Sequence, residues 1–173
     1  MKVIRPLFLD ELEEEFEKII EGDILPKTKI ERLQKLWVRI SKIKIFDPAC
    51  GSGNFLIITY KKLRELENNI IESLNDLSVS GISVKVDSQI KLENYFGIEI
   101  DDFAHELAIL SLYIAAHQMN IEFEKKFGKK LSIIPLKDNP KIVCDNAARI
   151  DWQDICPNLP QKPEKRAEQS AMF

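Results

Sequence analysis

Residues 47–55, Asp-Pro-Ala-Cys-Gly-Ser-Gly-Asn-Phe, have the types and spacing needed to hold a small ligand against exposed backbone. Asp47 and Pro48 close a short apolar run, residues 43–46, that reads as a buried strand, because proline lacks the amide a sheet ladder needs. Gly51 and Gly53 permit positive φ and close approach of the backbone to a bound group. From Asn54 the apolar period becomes helical. Strand, glycine loop and helix start form the arrangement by which open α/β sheets hold nucleotide-like ligands at the carboxyl ends of their strands. The loop fits neither common phosphate motif. Asn54 and Phe55 follow Gly53 where a P-loop needs Lys and Ser or Thr, and Leu56 occupies the place of the third glycine of a dinucleotide fingerprint. No lysine or arginine follows until Lys61, so the reactive end of the ligand is not a polyphosphate.

Two later stretches end in the same way. Tyr95-Phe96-Gly97-Ile98-Glu99-Ile100-Asp101 is an apolar strand that finishes in an acidic pair, and Ile142-Val143-Cys144-Asp145-Asn146-Ala147 is a short strand with a polar end. The three stretches, in this order over residues 47–146, resemble the S-adenosylmethionine motifs of N6-adenine DNA methyltransferases from restriction–modification systems. Pro6-Leu7-Phe8-Leu9-Asp10 and Ile150-Asp151-Trp152 further resemble the single-chain enzymes that combine restriction with methylation. The resemblance implies an α/β, Rossmann-like class I S-adenosylmethionine-dependent methyltransferase fold. It implies only part of that fold, the N-terminal half of the sheet with preceding helices, its strands ordered third, second, first.

By the same resemblance the cofactor-binding residues are Asp47, Pro48, Ala49, Cys50, Gly51, Gly53, Asn54 and Phe55 in the loop, with Glu99 on the ribose hydroxyls. A carboxylate suits a vicinal diol because it accepts two hydrogen bonds without offering a competing donor. Ile100 becomes an apolar wall beside the adenine, and either Asp145 or Asn146 contacts the adenine amino group. Position 145 is often glycine in such relatives, which is the one departure. Cys50 reads otherwise as a small packing residue, and His105 and His117 carry no catalytic or metal role.

The chemistry implied is attack of an adenine amino nitrogen on a sulfonium-bound methyl, after the base is flipped from the duplex. The Asn/Asp-Pro-Pro-aromatic motif that holds the flipped base is absent: Asp138-Asn139-Pro140-Lys141 and Cys156-Pro157-Asn158 do not supply it. No catalytic residue is therefore assigned. The chain reads as the cofactor-binding portion of a longer DNA adenine methyltransferase, inactive alone and meeting double-stranded DNA through the full-length enzyme. The rival readings are a methyltransferase acting on RNA, protein or a small molecule, and a non-catalytic cofactor-binding module.

The surrounding composition fits this reading. A chain of 173 residues with 45% hydrophobic content can build one domain with a sizeable core. A net charge of −3 and a pI near 5.6 provide no global basic field for nucleic acid. No apolar run approaches the roughly 20 residues that span a bilayer. Three widely spaced cysteines point to reduced thiols in the cytoplasm, not to a disulfide framework or a zinc site.

Three segments follow: residues 1–42 helical, 43–155 Rossmann-like, and 156–173 a loosely ordered tail. Residues 6–21 should form an amphipathic helix burying Phe8, Leu12, Phe16 and Ile19, with Glu13–Glu15 solvated and Gly22 ending it. A second helix runs from Pro26 to Ser41, with Trp37 an ordinary core or interface tryptophan in preference to one that stacks on a base or cofactor. The helix from Asn54 buries Leu56, Tyr60, Leu63, Ile70, Leu74 and Leu77. Residues 75–89 form a loop or small hairpin. Residues 102–119 form the most apolar helix, capped by Asp101 and largely buried, Phe103, Leu107, Leu110 and Ile114 included. Lys125–Lys130 is an exposed helix end, and Pro135 and Pro140 bracket a connector. With its neighbour missing, the first strand has an open edge, so self-association there, or cover by the tail, is expected.

Overall fold

In the computed structural model, residues 9–77, 87–131 and 139–157 are described. Pro6 and Phe8, Pro135, the centre of the 75–89 insert and the segment from Asn158 lie outside them. Two helices come first: α1, Leu9–Glu21, and α2, Pro26–Ser41. Pro26 suits the first turn of α2 because its missing amide would have no intrahelical partner there. Leu9, Leu12 and Ile19 of α1 and Leu33, Leu36 and Ile40 of α2 are buried in one core with the helix that follows. Arg39 of α2 joins the acidic run of α1, at 2.7 Å from half-buried Glu15 and 3.5 Å from Glu11. That run is therefore not wholly solvated.

Three parallel strands form the sheet in the order β1-β2-β3: β1 is Ile45–Asp47, β2 is Tyr95–Glu99 and β3 is Lys141–Cys144. Each crossover carries a long helix, α3 at Asn54–Leu77 and α4 at Asp102–Phe127. This strand order and the alternating α/β layout are those expected of a partial class I methyltransferase fold. β1 begins two residues later than the apolar run suggests. The amides of Lys42 and Ile43 still bond to Arg39 O and Ile40 O, at 3.2 and 3.3 Å, and so belong to the last turn of α2.

Alternation along the strands divides the core in two. Ile45, Tyr95 and Ile142 face the long helices. Phe46, Phe96, Ile98 and Val143 face a short helix α5, Trp152–Ile155, with the Phe46 and Trp152 rings 5.4 Å apart. Parallel sheets need cover on both faces, and among the described residues the second cover is small. Cys156, expected to begin the loose tail, is 1% exposed and belongs to this lower cluster, because Ile155 and Cys156 supply the apolar cover the sheet requires.

α3 buries the expected face, Leu56, Tyr60, Leu63, Ile70 and Leu74, and two charged residues besides. The Arg64 guanidinium donates to Tyr60 OH at 2.8 Å and Asn120 Oδ1 at 3.1 Å. The Glu67 carboxylate accepts from Trp37 Nε1 at 3.0 Å, from the hydroxyl of Ser88 at 2.6 Å and from the Gln89 amide at 2.6 Å. Arg64 Nε and Glu67 Oε2 lie 3.4 Å apart, so a fully buried ion pair ties α2, α3, α4 and the approach to β2 together. Trp37 is half-buried against the core and is anchored by Glu67 of this pair.

α4 departs most from expectation. It extends to Phe127, where Gly128 takes the left-handed conformation, φ 66°, and caps it. Only one side is buried: Ala108, Leu112, Ala115, Ala116, Met119 and Phe123. Phe103 is 77% exposed, and Leu107, Leu110 and Ile114 also face outward, because α3 and the sheet occupy just one side of the helix.

Candidate functional site

The three polar strand ends meet at the carboxyl edge of the sheet. Asp47 ends β1 and its Oδ1 accepts the Ala49 amide at 3.1 Å, turning the chain out of the strand. The Cys50 amide donates to Ile98 O on β2 at 3.1 Å, and the Gly53 amide closes the loop on Cys50 O at 2.8 Å. Asn54 then opens α3. On the other side of β2, the Asp145 amide donates to Glu99 O at 3.0 Å. Backbone bonds thus fix the loop, the end of β2 and the end of β3 in one register.

Glu99 is the hub. Its Oε2 accepts the Gly51 amide at 2.7 Å, and its Oε1 accepts the amides of Ile100 and Asp101, both at 2.9 Å. These bonds, that from Asp101 foremost, hold the carboxyl below its usual range against the opposing effect of partial burial. A carboxylate offers about four acceptor positions, so three amides leave about one open, on Oε2. Asp101 is the helix cap expected, its Oδ1 accepting from the Ala104 amide at 2.7 Å.

The two loop glycines differ in what they face. Gly51 has φ 53°, and nothing lies within 4 Å of where a Cβ would stand. Gly53 has φ 81°, and a Cβ there would meet Ala108 Cβ at 3.2 Å and Ala108 Cα at 3.3 Å. Gly51 leaves space at the mouth; Gly53 lets α4 pack on the loop. Gly97, inside β2, has a structural role of its own: a Cβ on it would lie 3.0 Å from Cys50 Sγ. A glycine inside a strand marks such close approaches.

Not every candidate lines the mouth. Cys50 is buried behind the loop and Phe55 packs into the core, so both support the site from beneath. Pro48 and Asp47 are half-buried in the turn, while Ala49, Asn54, Ile100 and Asp145 are exposed. Asn146 has its side-chain oxygen committed to the Ala148 amide at 2.9 Å, capping the turn after β3. Asp145 Oδ1 takes the Asn146 amide at 2.6 Å, and its carboxylate stands exposed at the strand end.

The local field is negative. Burial, then Asp47 and Glu99, push the Cys50 thiol up to about 11, so it is protonated and inert at neutral pH. The Cys144 thiol is also raised, by desolvation and then by Asp102, Asp101, Asp145 and Glu99. Asp102, His105 and Glu106, at the start of α4, bring ligand-type atoms within 4.8 Å of one another, while His105 Nε2 lies 3.1 Å from Ile142 O and ties the helix to β3. Acceptors, an exposed apolar Ile100 and negative charge suit a ligand that carries hydroxyl and amino donors and a positive charge; they repel a polyphosphate.

Comparison with known proteins agrees in fold and sequence. Residues 24–171 match the family model described as MmeI, DNA-methyltransferase domain. DNA methyltransferase A of Bacillus subtilis (strain 168) is 46% identical over 158 residues, covering 91% of this chain and 17% of its own length. A putative type II restriction enzyme and methyltransferase of Methanocaldococcus jannaschii is 32% identical over 162 residues, covering 79% of this chain and 13% of its own. The adenine-specific methyltransferase BrxX of Escherichia coli O9:H4 is 31% identical over 98 residues, 56% of this chain and 7% of its own. The solved structure of the Type IIL restriction-modification enzyme MmeI in complex with DNA superposes with a TM-score of 0.77 at 39% identity, over 90% of this chain and 20% of that one. The chain thus spans a fifth or less of the length of the relatives it matches.

Proposed function

Because this chain belongs to the MmeI DNA-methyltransferase domain family, we propose that it is the S-adenosylmethionine-binding portion of a DNA adenine N6-methyltransferase from a restriction–modification system. The observation that carries the reading is the meeting of three strand ends around Glu99, with the Gly51 side of the loop open. The residues fit the cofactor. Gly51 provides a face that any Cβ would fill, Ile100 offers an apolar wall, and the carboxylates suit a sulfonium. No lysine or arginine lies between Asp47 and Phe55 to favour a phosphate instead.

When bound, S-adenosylmethionine supplies an electrophilic methyl on a positively charged sulfur. The loop amide of Gly51 is held away from the ligand by Glu99, which keeps one Oε2 acceptor position for a ribose hydroxyl. That is one fewer than a bidentate grip on the diol requires. Asp145 is the acceptor for the adenine amino group, since its carboxylate has a second oxygen beside the one that takes the Asn146 amide, whereas the single side-chain oxygen of Asn146 is already engaged. Asp47 shapes the turn, and Cys50 and Phe55 hold the loop from below.

Double-stranded DNA is the partner of the longer enzyme. MmeI, a solved relative, is described in complex with DNA, and this acidic chain has no basic field of its own. β1 is an outer strand among the described ones, so its outward ladder groups are open to a strand from the remainder of such an enzyme or from a second copy. Three free cysteines are in keeping with the cytoplasm, and no described helix is long and apolar enough to cross a membrane.

A chimaera tests the reading. This chain replaces the matching segment of the Bacillus subtilis relative, and labelled cofactor is supplied with mixed-sequence duplex. Adenine in DNA becomes labelled, and Gly51→Val abolishes labelling. A folded chimaera that labels RNA or protein but not DNA overturns the assignment.

A further inference from the structure

Helix α4 is apolar on both sides, and a helix of that kind belongs in an interior. One side packs on α3 and the sheet. The other exposes Phe103 at 77%, Leu107 at 38%, Leu110 at 55%, Ile114 at 50% and Ile121 at 39%. With half-buried His117 they fall at positions 103, 107, 110, 114, 117 and 121, the alternating four-and-three spacing of a knobs-into-holes seam.

The spacing reads the same from either end, about residue 112. We propose that a second copy of this chain docks on this face through an isologous antiparallel α4–α4 pair. A two-fold axis at residue 112 sets Leu110 against Ile114, Leu107 against His117 and Phe103 against Ile121, and each contact occurs twice, as an isologous interface requires. The antiparallel arrangement opposes the two helix dipoles. The exposed parts of the five side chains, taken over both copies, amount to on the order of 1,000 Å², about where specific interfaces begin. This pairing is independent of the cofactor reading, and neither depends on the other.

Size-exclusion chromatography with light scattering on the 173-residue chain at micromolar concentration tests it. The wild type runs as a dimer, as does the control Val38→Asp, which alters an exposed apolar residue on α2. Leu110→Asp with Ile114→Asp runs as a monomer of unchanged circular dichroism. A Cys144→Ser chain carrying Leu110→Cys and Ile114→Cys forms a disulfide between copies on mild oxidation. A monomeric wild type overturns the proposal. So does a dimer that survives the aspartates, which places association elsewhere, such as the β1 edge. Absence of the crosslink overturns it even if the aspartate variant fails to fold.

Discussion

Glu99 accepts the amide of Gly51 at 2.7 Å, joining the end of the second strand to the loop after the first. With Ile100 and Asp101 on its other oxygen, the carboxylate is part of the frame that shapes the site as well as a candidate ligand contact. Glu99→Ala strands three amides at once. Water reaches this edge, so the loss of stability is about 1–2 kcal/mol, read by denaturant melts. Unchanged stability contradicts the hub role.

The same carboxylate predicts a pH effect. Its folded pKa lies below the ordinary glutamate value of 4.5, the Asp101 amide being the main cause. Its contribution is therefore present above the unfolded value and lost as pH falls through the folded one. The stability gap between wild type and Glu99→Gln should be constant above about pH 5 and close as pH falls below 4.5. Thermal melts from pH 3 to pH 7 measure it (the range brackets ordinary carboxylate titration at about 4). A gap that widens in acid contradicts the lowered pKa.

The two loop glycines should separate binding from stability. Gly53→Val forces a side chain onto the backbone of Ala108 in a left-handed conformation, at a cost of about 2–4 kcal/mol in melts. Gly51→Val meets no neighbour and carries only the backbone penalty of about 1–2 kcal/mol. It should nonetheless be the variant that abolishes cofactor binding in titrations. Equal effects of the two on stability contradict the geometry.

The buried Arg64–Glu67 pair should be the most sensitive point of the fold. Glu67→Ala leaves a guanidinium without its carboxylate in a dry core and costs about 3–5 kcal/mol. Replacing both residues by Met restores part of that loss. Chemical denaturation of the single and double variants decides it, and a harmless Glu67→Ala rules the pair out as a structural tie.

How far these elements could be read in the sequence depended on what distinguishes each residue locally. The glycine loop, the Asp101 cap and the buried face of α3 announce themselves through backbone requirements and a clear period. Arg64 and Glu67 look like solvated charges on that helix, because only the approach of Trp37, Ser88 and Gln89 makes burial tolerable. α4 is apolar all round, so its period cannot say which face is covered, and Phe103 and Leu110 were expected inside. Asp145 and Asn146 are equivalent in the sequence; in the structure the Asn146 side-chain oxygen takes the Ala148 amide and one of the two Asp145 oxygens takes the Asn146 amide.

With Asp145 proposed as the adenine acceptor, Asp145→Ala weakens S-adenosylmethionine binding, by about 1.5–3 kcal/mol for a hydrogen bond to a charged group, whereas Asn146→Ala loosens the turn with little effect on affinity. Calorimetry on both variants checks it, and the reverse order contradicts the assignment.

The central claim is that the ends of β1, β2 and β3 form one S-adenosylmethionine site. Its most direct test is calorimetric titration of the chain with S-adenosylmethionine, with ATP as the phosphate-bearing control. The account predicts one saturable site for S-adenosylmethionine, none for ATP, and loss of binding in Gly51→Val while that variant stays folded. Equal binding of ATP, or full affinity in folded Gly51→Val, would contradict it.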